Sequence, residues 1–145
     1  MSRVIGLDHG SRRIGVAIAD LETGMAFARP AVLRRNLDHD LAIVHDLCVS
    51  EDVVQVVIGL PLNMDGREGP QAAQVRAFGD RLAAIGLAVA YEDERLTSWE
   101  AAERLAEIGR RARRGSGELD STAARVILQQ YLDARHRAGR AEETE

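Results

Sequence analysis

Apolar runs separated by polar turns predict three strands in the early part of the chain. Residues 3–8 and 14–19 are mainly apolar, and the short link HGSRR joins them around Gly10. Two such runs with a short glycine-containing link are typical of a β-hairpin. Residues 28–33 form the third predicted strand. Residues 53–61, VVQVVIGLP, are almost continuously apolar and β-branched, as in a central strand covered on both faces.

Helical spacing dominates the segments around and after this central strand. Residues 37–48 place an apolar side chain at every third or fourth position, and residues 70–86 repeat the pattern. Residues 87–94, LAVAYEDE, read as another strand. Thr97-Ser98-Trp99-Glu100 matches a capping box and begins a helix predicted to reach residue 108. The last helix is predicted from residue 120 to about residue 136.

This order of elements indicates an α/β fold. Three leading strands are followed by alternating helices and strands, so helices are expected on the faces of one sheet. We expect a single domain over residues 1–137 and a disordered acidic tail over residues 138–145. In α/β sheets, ligands bind beyond the carboxyl ends of the strands, where the strand order reverses.

Composition narrows the class of protein. The chain has 145 residues, 46% hydrophobic and 29% charged, which suits one soluble globular domain. No apolar run approaches the roughly 18 residues that span a bilayer, and the start MSRVIGLD shows no signal-peptide pattern. We therefore expect a cytoplasmic protein without a membrane partner. Cys48 is expected to be a buried thiol in a reducing compartment, with a catalytic thiol as the alternative.

The charge is acidic overall but locally basic. The net charge of −4 argues against non-specific nucleic-acid binding by the whole surface. The chain contains no lysine, so arginine supplies every positive charge apart from histidine. The arginines cluster at Arg12-Arg13, Arg34-Arg35 and residues 110–114. Of these clusters, Arg12-Arg13 and residues 110–114 are candidate phosphate contacts. The alternative for the last cluster is an ordinary solvated segment.

Carboxylates lie where two of the predicted strands end. Asp8 closes the first strand, and Asp93 and Glu94 close the strand YEDE. If these strands are parallel neighbours, their ends adjoin. Asp8 has an alternative interpretation as the first residue of a turn. Only one of Asp93 and Glu94 faces each side of the sheet, and spacing does not decide which of them faces the site.

A third carboxylate, Asp120, heads the apolar stripe of the last predicted helix. The stripe continues through Ala124, Ile127, Leu128 and Tyr131, so Asp120 lies on the side that packs on the sheet, unless it is only the N-cap. Three carboxylates packed together would repel one another, and a divalent cation removes that penalty. All-oxygen ligands favour Mg²⁺ or Mn²⁺, and two such ions support phosphodiester cleavage. The histidines show no zinc-ligand spacing, and no GxxxxGK[ST] loop occurs.

Four segments in this order resemble one protein family. GLDHGSRRIGVAIAD, VVIGLPLNMDGREG, EDERLTS and ELDSTAARVILQQYLD are similar to the YqgF-type (RuvX) nucleases over residues 3–133. The resemblance implies an RNase H-like fold with a five-stranded mixed sheet whose first three strands are antiparallel. It also implies a metal-dependent hydrolase acting on structured nucleic acid. The family is described both as nucleases that mature pre-16S rRNA in ribosome biogenesis and as Holliday junction resolvases in DNA recombination and repair.

The resemblance implies roles for particular residues. Asp8, Glu94 and Asp120 match the catalytic carboxylates that bind Mg²⁺ or Mn²⁺, with two ions expected, and this match selects Glu94 over Asp93. One departure is Glu118, where family members often carry a basic residue; the neighbouring arginines could supply that charge.

Substrate contacts are predicted around these carboxylates. The candidates are Arg12, Arg13, Asn63, Asp65, Arg95, Arg110, Arg111, Arg113 and Arg114. Each has a structural alternative: Asn63 and Asp65 suit a turn, and Arg13 and Arg95 suit surface ion pairs. The expected partner is pre-rRNA or branched DNA, bound by a monomer or a homodimer, since junction cutting favours a two-fold dimer.

Two other classes of function compete with a nuclease. The segment GLDHGSRRIGVAIAD is also similar to the phosphate hairpin of actin-like ATPases and sugar kinases, but those proteins need a second lobe that a 145-residue chain does not hold. A non-catalytic nucleic-acid or transcription-machinery binding module could keep the fold, although the presence of all three carboxylates argues against it.

Overall fold

The computed structural model describes residues 2–94 and 121–143, with side chains to residue 138. Its core is a five-stranded sheet with the order β3-β2-β1-β4-β5. The strands are β1 (Arg3–His9), β2 (Arg13–Asp20), β3 (Ala26–Leu33), β4 (Val53–Leu60) and β5 (Val89–Asp93). The described helices are α1 (Leu37–Ser50), α2 (Pro70–Ala84) and α3 (Thr122–Glu143). The predicted order of these elements is confirmed, and each predicted strand differs from the observed one by a few terminal residues.

Strand β1 joins the antiparallel and the parallel halves of the sheet. It pairs antiparallel with β2, which pairs antiparallel with β3, and it pairs parallel with β4, which pairs parallel with β5. The mixed sheet with an antiparallel first half is therefore confirmed. Because β1, β4 and β5 are parallel, their carboxyl ends lie at one edge, which is where the predicted strand-end carboxylates are expected to meet.

Each face of the sheet is covered by its own apolar core. Helices α1 and α2 pack on the face that carries Ile5, Leu7 and Ile58. Cys48 belongs to this core, 2% exposed, as the sequence predicts. Helix α3 packs on the other face, where its residues Ala124, Ile127, Leu128 and Leu132 contact Val4, Ala17, Ala19 and Val57. Alternation along β1 places Asp8 on this second face with Val4 and Gly6.

Helix α3 lies unusually close to the sheet because the residues beneath it are small. A Cβ built on Gly6 would lie 2.7 Å from Leu128 Cβ and 3.1 Å from the carbonyl oxygen of Ala124. A larger residue at position 6 would therefore push the helix away. The glycine brings the helix backbone against β1 directly below Asp8.

Helix α3 differs in extent from the predicted helix. It begins at Thr122 and continues to Glu143, beyond the predicted end near residue 136, because Ala, Arg and Glu in this segment are good helix formers. The boundary between a domain and a tail at residue 137 stays a prediction. The predicted helix over residues 97–108 and the arginine-rich segment 110–114 lie outside the described residues. Within the described part of the chain, no helix is long and apolar enough to cross a membrane.

Candidate active site

The carboxyl groups of Asp8 and Glu94 meet at the carboxyl edge of the sheet. Asp8 is near the end of β1, and Glu94 directly follows β5. Strand β4 lies between these two strands, yet the protonated carboxyl of Glu94 donates a hydrogen bond to Asp8. Both residues are half-buried. The structure thus brings together two of the three predicted carboxylates, from segments far apart in the sequence.

Gly59 on β4 makes this meeting possible. A Cβ built at Gly59 would lie 2.6 Å from Glu94 Oε1 and 2.6 Å from Ile127 Cδ1, so the Glu94 side chain crosses β4 where it has no side chain. The sequence reasoning did not single out Gly59. The available signal was a glycine inside a β-branched strand, which often marks a close approach by another group.

Alternation along β5 explains why Glu94 and not Asp93 points to Asp8. Glu92 accepts a hydrogen bond from Gln130 on α3, so Glu92 faces that helix. A residue two positions later faces the same side, so Glu94 lies on the side of Asp8. Asp93 faces the opposite side of the sheet. The sequence alone could not fix this phase of the strand.

The two carboxyl groups have perturbed acidity. Burial, then the negative charges of Asp8 and Asp93, and the hydrogen bond to Asp8 raise the pKa of Glu94 to about 7. Burial also raises the pKa of Asp8, and the hydrogen bond from Glu94 opposes that rise. Near neutral pH the pair therefore holds a proton between two oxygen-rich groups. A divalent cation can take the place of that proton.

The donor set fits a hard divalent cation. Both groups are carboxylates, which suit Mg²⁺ or Mn²⁺. Within residues 2–94 and 121–138, no cluster of three or more acidic, histidine or cysteine side chains is close enough to hold a metal ion. The predicted third ligand, Asp120, lies outside the described residues. It directly precedes Ser121, whose position is described.

Ser121 fastens the start of α3 to the sheet beside Asp8. Its hydroxyl oxygen accepts a hydrogen bond of 3.0 Å from the backbone N–H of Val16, and the pair is buried. Val16 is paired with Leu7, the neighbour of Asp8. The strand register slips here: Ile14 pairs with Val32 and Val16 with Arg29, which is a bulge in β3. The sequence carried no signal for this contact.

Arg12 lies in the link between β1 and β2, and Arg13 is the first residue of β2; we call residues 10–13 the arginine turn. Both side chains are exposed. The Gly10 N–H donates a hydrogen bond of 2.9 Å to the Arg13 carbonyl, which closes the turn. The turn begins two residues after Asp8, at the end of β1, so both predicted substrate contacts lie at the same edge as the carboxylates.

The loop after β4 is a compact turn. Asp65 Oδ1 accepts a hydrogen bond of 2.9 Å from the Arg67 N–H, and Gly66 N–H donates to the Asn63 carbonyl at 2.8 Å. Gly66 has a positive φ of 85°, which glycine adopts without strain. Asp65 thus shapes the loop through its side chain and Asn63 through its backbone, and both remain exposed at the candidate edge. Arg95, Arg110, Arg111, Arg113 and Arg114 lie outside the described residues.

Solved structures with known partners share this fold. Thermus thermophilus RuvC in complex with a Holliday junction substrate superposes with a TM-score of 0.59 at 14% identity, covering 94% of this chain and 96% of that one. The Fowlpox virus resolvase in complex with Holliday junction DNA gives a TM-score of 0.55 at 10% identity, covering 91% and 97%. These similarities confirm the RNase H-like fold.

Sequence relatives are much closer. A protein of Anaeromyxobacter dehalogenans (strain 2CP-1 / ATCC BAA-258) named "Putative pre-16S rRNA nuclease" is 47% identical over 134 residues, covering 92% of this chain and 98% of that protein. A protein of the same name from Thermosynechococcus vestitus is 41% identical over 142 residues, covering 97% and 94%. The family model RuvX, described as Holliday junction resolvase, matches residues 2–134. This chain therefore belongs to the RuvX family.

Proposed function

We propose that this protein is a nuclease that hydrolyses phosphodiester bonds with Mg²⁺ or Mn²⁺ held by Asp8, Glu94 and Asp120. The observation that carries the proposal is the hydrogen-bonded pair Asp8–Glu94 at the carboxyl edge of an RNase H-like sheet. Two carboxyl groups lie together here with raised pKa values, and a bound cation would favour their ionised form. Asp120 directly precedes Ser121, which is fastened beside Leu7, the residue before Asp8.

Each residue has a distinct task in this proposal. Bound divalent ions supply the activation of a water molecule and the stabilisation of the leaving oxygen. Asp8 and Glu94 would hold the ions, which requires both carboxyl groups to be ionised. Arg12 and Arg13 contact phosphates of the substrate backbone from the arginine turn. The exposed loop around Asn63 and Asp65 lies at the same edge and limits how the substrate strand approaches.

We propose precursor 16S rRNA as the substrate. The name carried by relatives that are 47% and 41% identical over almost the whole chain supports this choice. The description of the family model favours a second candidate, a four-way DNA junction. The cytoplasmic location and the choice between monomer and homodimer belong to this proposal as well, with a dimer expected only for the junction substrate.

A side-by-side cleavage assay tests the proposal. Wild type, Asp8→Asn and Glu94→Gln are incubated with Mn²⁺ and either a precursor 16S rRNA fragment or a four-way junction. We expect the rRNA fragment to be cut by wild type, and both variants to be at least about a hundredfold slower because a metal ligand is lost. Asp46→Asn, an exposed carboxylate on α1, is the control and should cut like wild type.

The outcomes separate the competing functions. Equal cleavage by Asp8→Asn and wild type would refute the metal mechanism. Cleavage of the junction alone, by a species with the mass of a dimer, would select the resolvase function. RNA binding with a steep salt dependence but no metal binding and no cleavage would identify a non-catalytic binding module.

A further inference from the structure

One residue, Arg34, holds the arginine turn through both its side chain and its backbone. Arg34 Nη1 donates a hydrogen bond of 2.8 Å to the Gly10 carbonyl. The backbone N–H of Arg34 donates to the Arg12 carbonyl at 2.9 Å. Arg34 directly follows β3, so a residue at the far end of another strand fixes the backbone of the turn at two points.

Arg34 is in turn held by a buried carboxylate, Asp40. Arg34 Nε lies 3.4 Å from Asp40 Oδ2, and the other oxygen, Oδ1, accepts a hydrogen bond of 3.1 Å from the Arg35 N–H. His39 Nδ1 lies 3.0 Å from the same Oδ1. Asp40 is only 1% exposed. Although burial opposes it, these bonds from His39, Arg35 and Arg34 hold the pKa of Asp40 below its usual range, so the residue stays charged.

Asp40 is not required to begin its helix. The N-cap of α1 is Asn36, whose Oδ1 accepts a hydrogen bond of 2.8 Å from the His39 N–H. A buried ion pair also gives little net stability compared with apolar residues of similar size. The buried charge at position 40 is therefore better explained by its contacts. Asp40 binds the Arg35 backbone directly, and through Arg34 it holds the segment that carries Arg12.

We propose that Asp40 and Arg34 are positioning residues that hold the backbone of the arginine turn and of Arg35, whose side chain is exposed, in one surface for the nucleic-acid backbone. This inference rests on the proposed function, because it assumes that the arginine turn contacts phosphates. Cations that are fixed before binding lose less freedom when a ligand arrives, so a held turn binds more tightly than a mobile one. Neither Asp40 nor Arg34 touches the substrate in this arrangement.

The binding experiment uses a labelled RNA stem-loop with a single-stranded extension, in Ca²⁺ to prevent cleavage, with fluorescence anisotropy measured across salt concentrations. The variants are Asp40→Asn and Arg34→Lys, which keeps the charge but not the fork of donors. We expect each to weaken binding about tenfold, the loss of roughly one charged hydrogen bond, and to lower the salt slope by about one. Affinity for Mn²⁺, measured by calorimetry without RNA, should be unchanged.

A control with the same chemistry lies at the opposite end of the sheet. Glu51 forms ion pairs with Arg3, at the start of β1, and with Arg29 at 3.2 Å. Glu51→Gln should bind RNA like wild type. A double-mutant cycle adds a readout that general destabilisation would not produce: with Arg12→Ala already present, Asp40→Asn should weaken binding by much less than tenfold.

The results distinguish this inference from the proposed function. Wild-type affinity and salt slope in both variants would overturn the positioning role, even if wild type cleaves RNA. An equal loss of Mn²⁺ affinity would also overturn it, because the network would then act on the metal site. If Asp40→Asn does not fold, Arg34→Lys and the cycle built on it decide. Failure of wild type to cleave any substrate refutes the nuclease alone, since the binding measurement does not depend on cleavage.

Discussion

The carboxyl oxygen Oε1 of Glu94 lies in the space that a side chain at Gly59 would occupy. The distance from a Cβ built at Gly59 to Glu94 Oε1 is 2.6 Å, shorter than real Cβ contacts allow. The path by which Glu94 reaches Asp8 is therefore set by a residue that takes no part in metal binding.

Gly59→Ala should displace Glu94 from Asp8 and slow Mn²⁺-dependent cleavage by about tenfold or more, since small misplacements at a reacting centre are costly. The matched control is Gly79→Ala, which crowds Tyr91 on the opposite side of β5. Both variants lose some stability, but only the first should lose affinity for Mn²⁺ in calorimetry. Equal Mn²⁺ affinity in the two variants would contradict this role of Gly59.

The raised pKa of Glu94 predicts how stability depends on pH in the absence of metal. The folded protein holds the Glu94 proton up to about pH 7, whereas the unfolded chain releases it near 4.5. The unfolded state therefore binds fewer protons between these values, and the contribution of Glu94 to the free energy of unfolding falls as pH rises through this window. Glu94→Gln carries no such proton, so its stability relative to wild type should rise between about pH 4.5 and 7.

Urea denaturation of both proteins in EDTA at a series of pH values measures this difference. Added Mn²⁺ at pH 8 should stabilise wild type more than Glu94→Gln, because metal binding needs the ionised carboxylates and the variant lacks one of them. A constant difference between the two proteins from pH 4 to pH 8 would show that Glu94 ionises normally.

Ser121→Ala should lower the free energy of unfolding by about 1–3 kcal/mol, because the buried N–H of Val16 loses its acceptor. Cleavage should fall as well, since Asp120 is the residue directly before Ser121. Ser50→Ala is the comparison: its exposed hydroxyl bonds the Leu47 carbonyl, and its loss should change stability by less than about 0.5 kcal/mol. Urea denaturation and initial cleavage rates give both quantities.

Cys48→Ala should cleave RNA like wild type while losing about 1 kcal/mol of stability from the core under α1. Burial raises the pKa of the Cys48 thiol to about 11, so a thiol reagent should react with the native protein only slowly. Rapid labelling before urea is added, or loss of cleavage in the alanine variant, would revive the catalytic thiol considered from the sequence.

The sequence predicted the sheet well because its strands have strong and different patterns. The hairpin around Gly10 and the apolar run of β4 each depend on local chemistry, and both are confirmed. The site was harder, because it depends on register. Whether Asp93 or Glu94 faces Asp8 is decided by the phase of β5, which is visible in the bond between Glu92 and Gln130.

Contacts between distant segments could not be foreseen at all. The sequence marked Arg34 only as part of a basic pair, and its pattern did not single out Asp40. Their own pairing spans only six residues, but the hydrogen bond from Arg34 to the Gly10 carbonyl joins residues 24 apart, which no local pattern records. The same holds for Ser121 and Val16, which are 105 residues apart.

The glycine and alanine surface beneath α3 makes the spacing of the site a matter of backbone thickness. Where large side chains separate a helix from a sheet, a change of rotamer can absorb a substitution. At Gly6 the nearest atoms are the Leu128 Cβ and the Ala124 carbonyl oxygen, which move only with the helix backbone, so a change of rotamer cannot make room. The distance between the end of β1 and the start of α3 is therefore set by backbone contact at Gly6. A larger residue at this position should increase that distance.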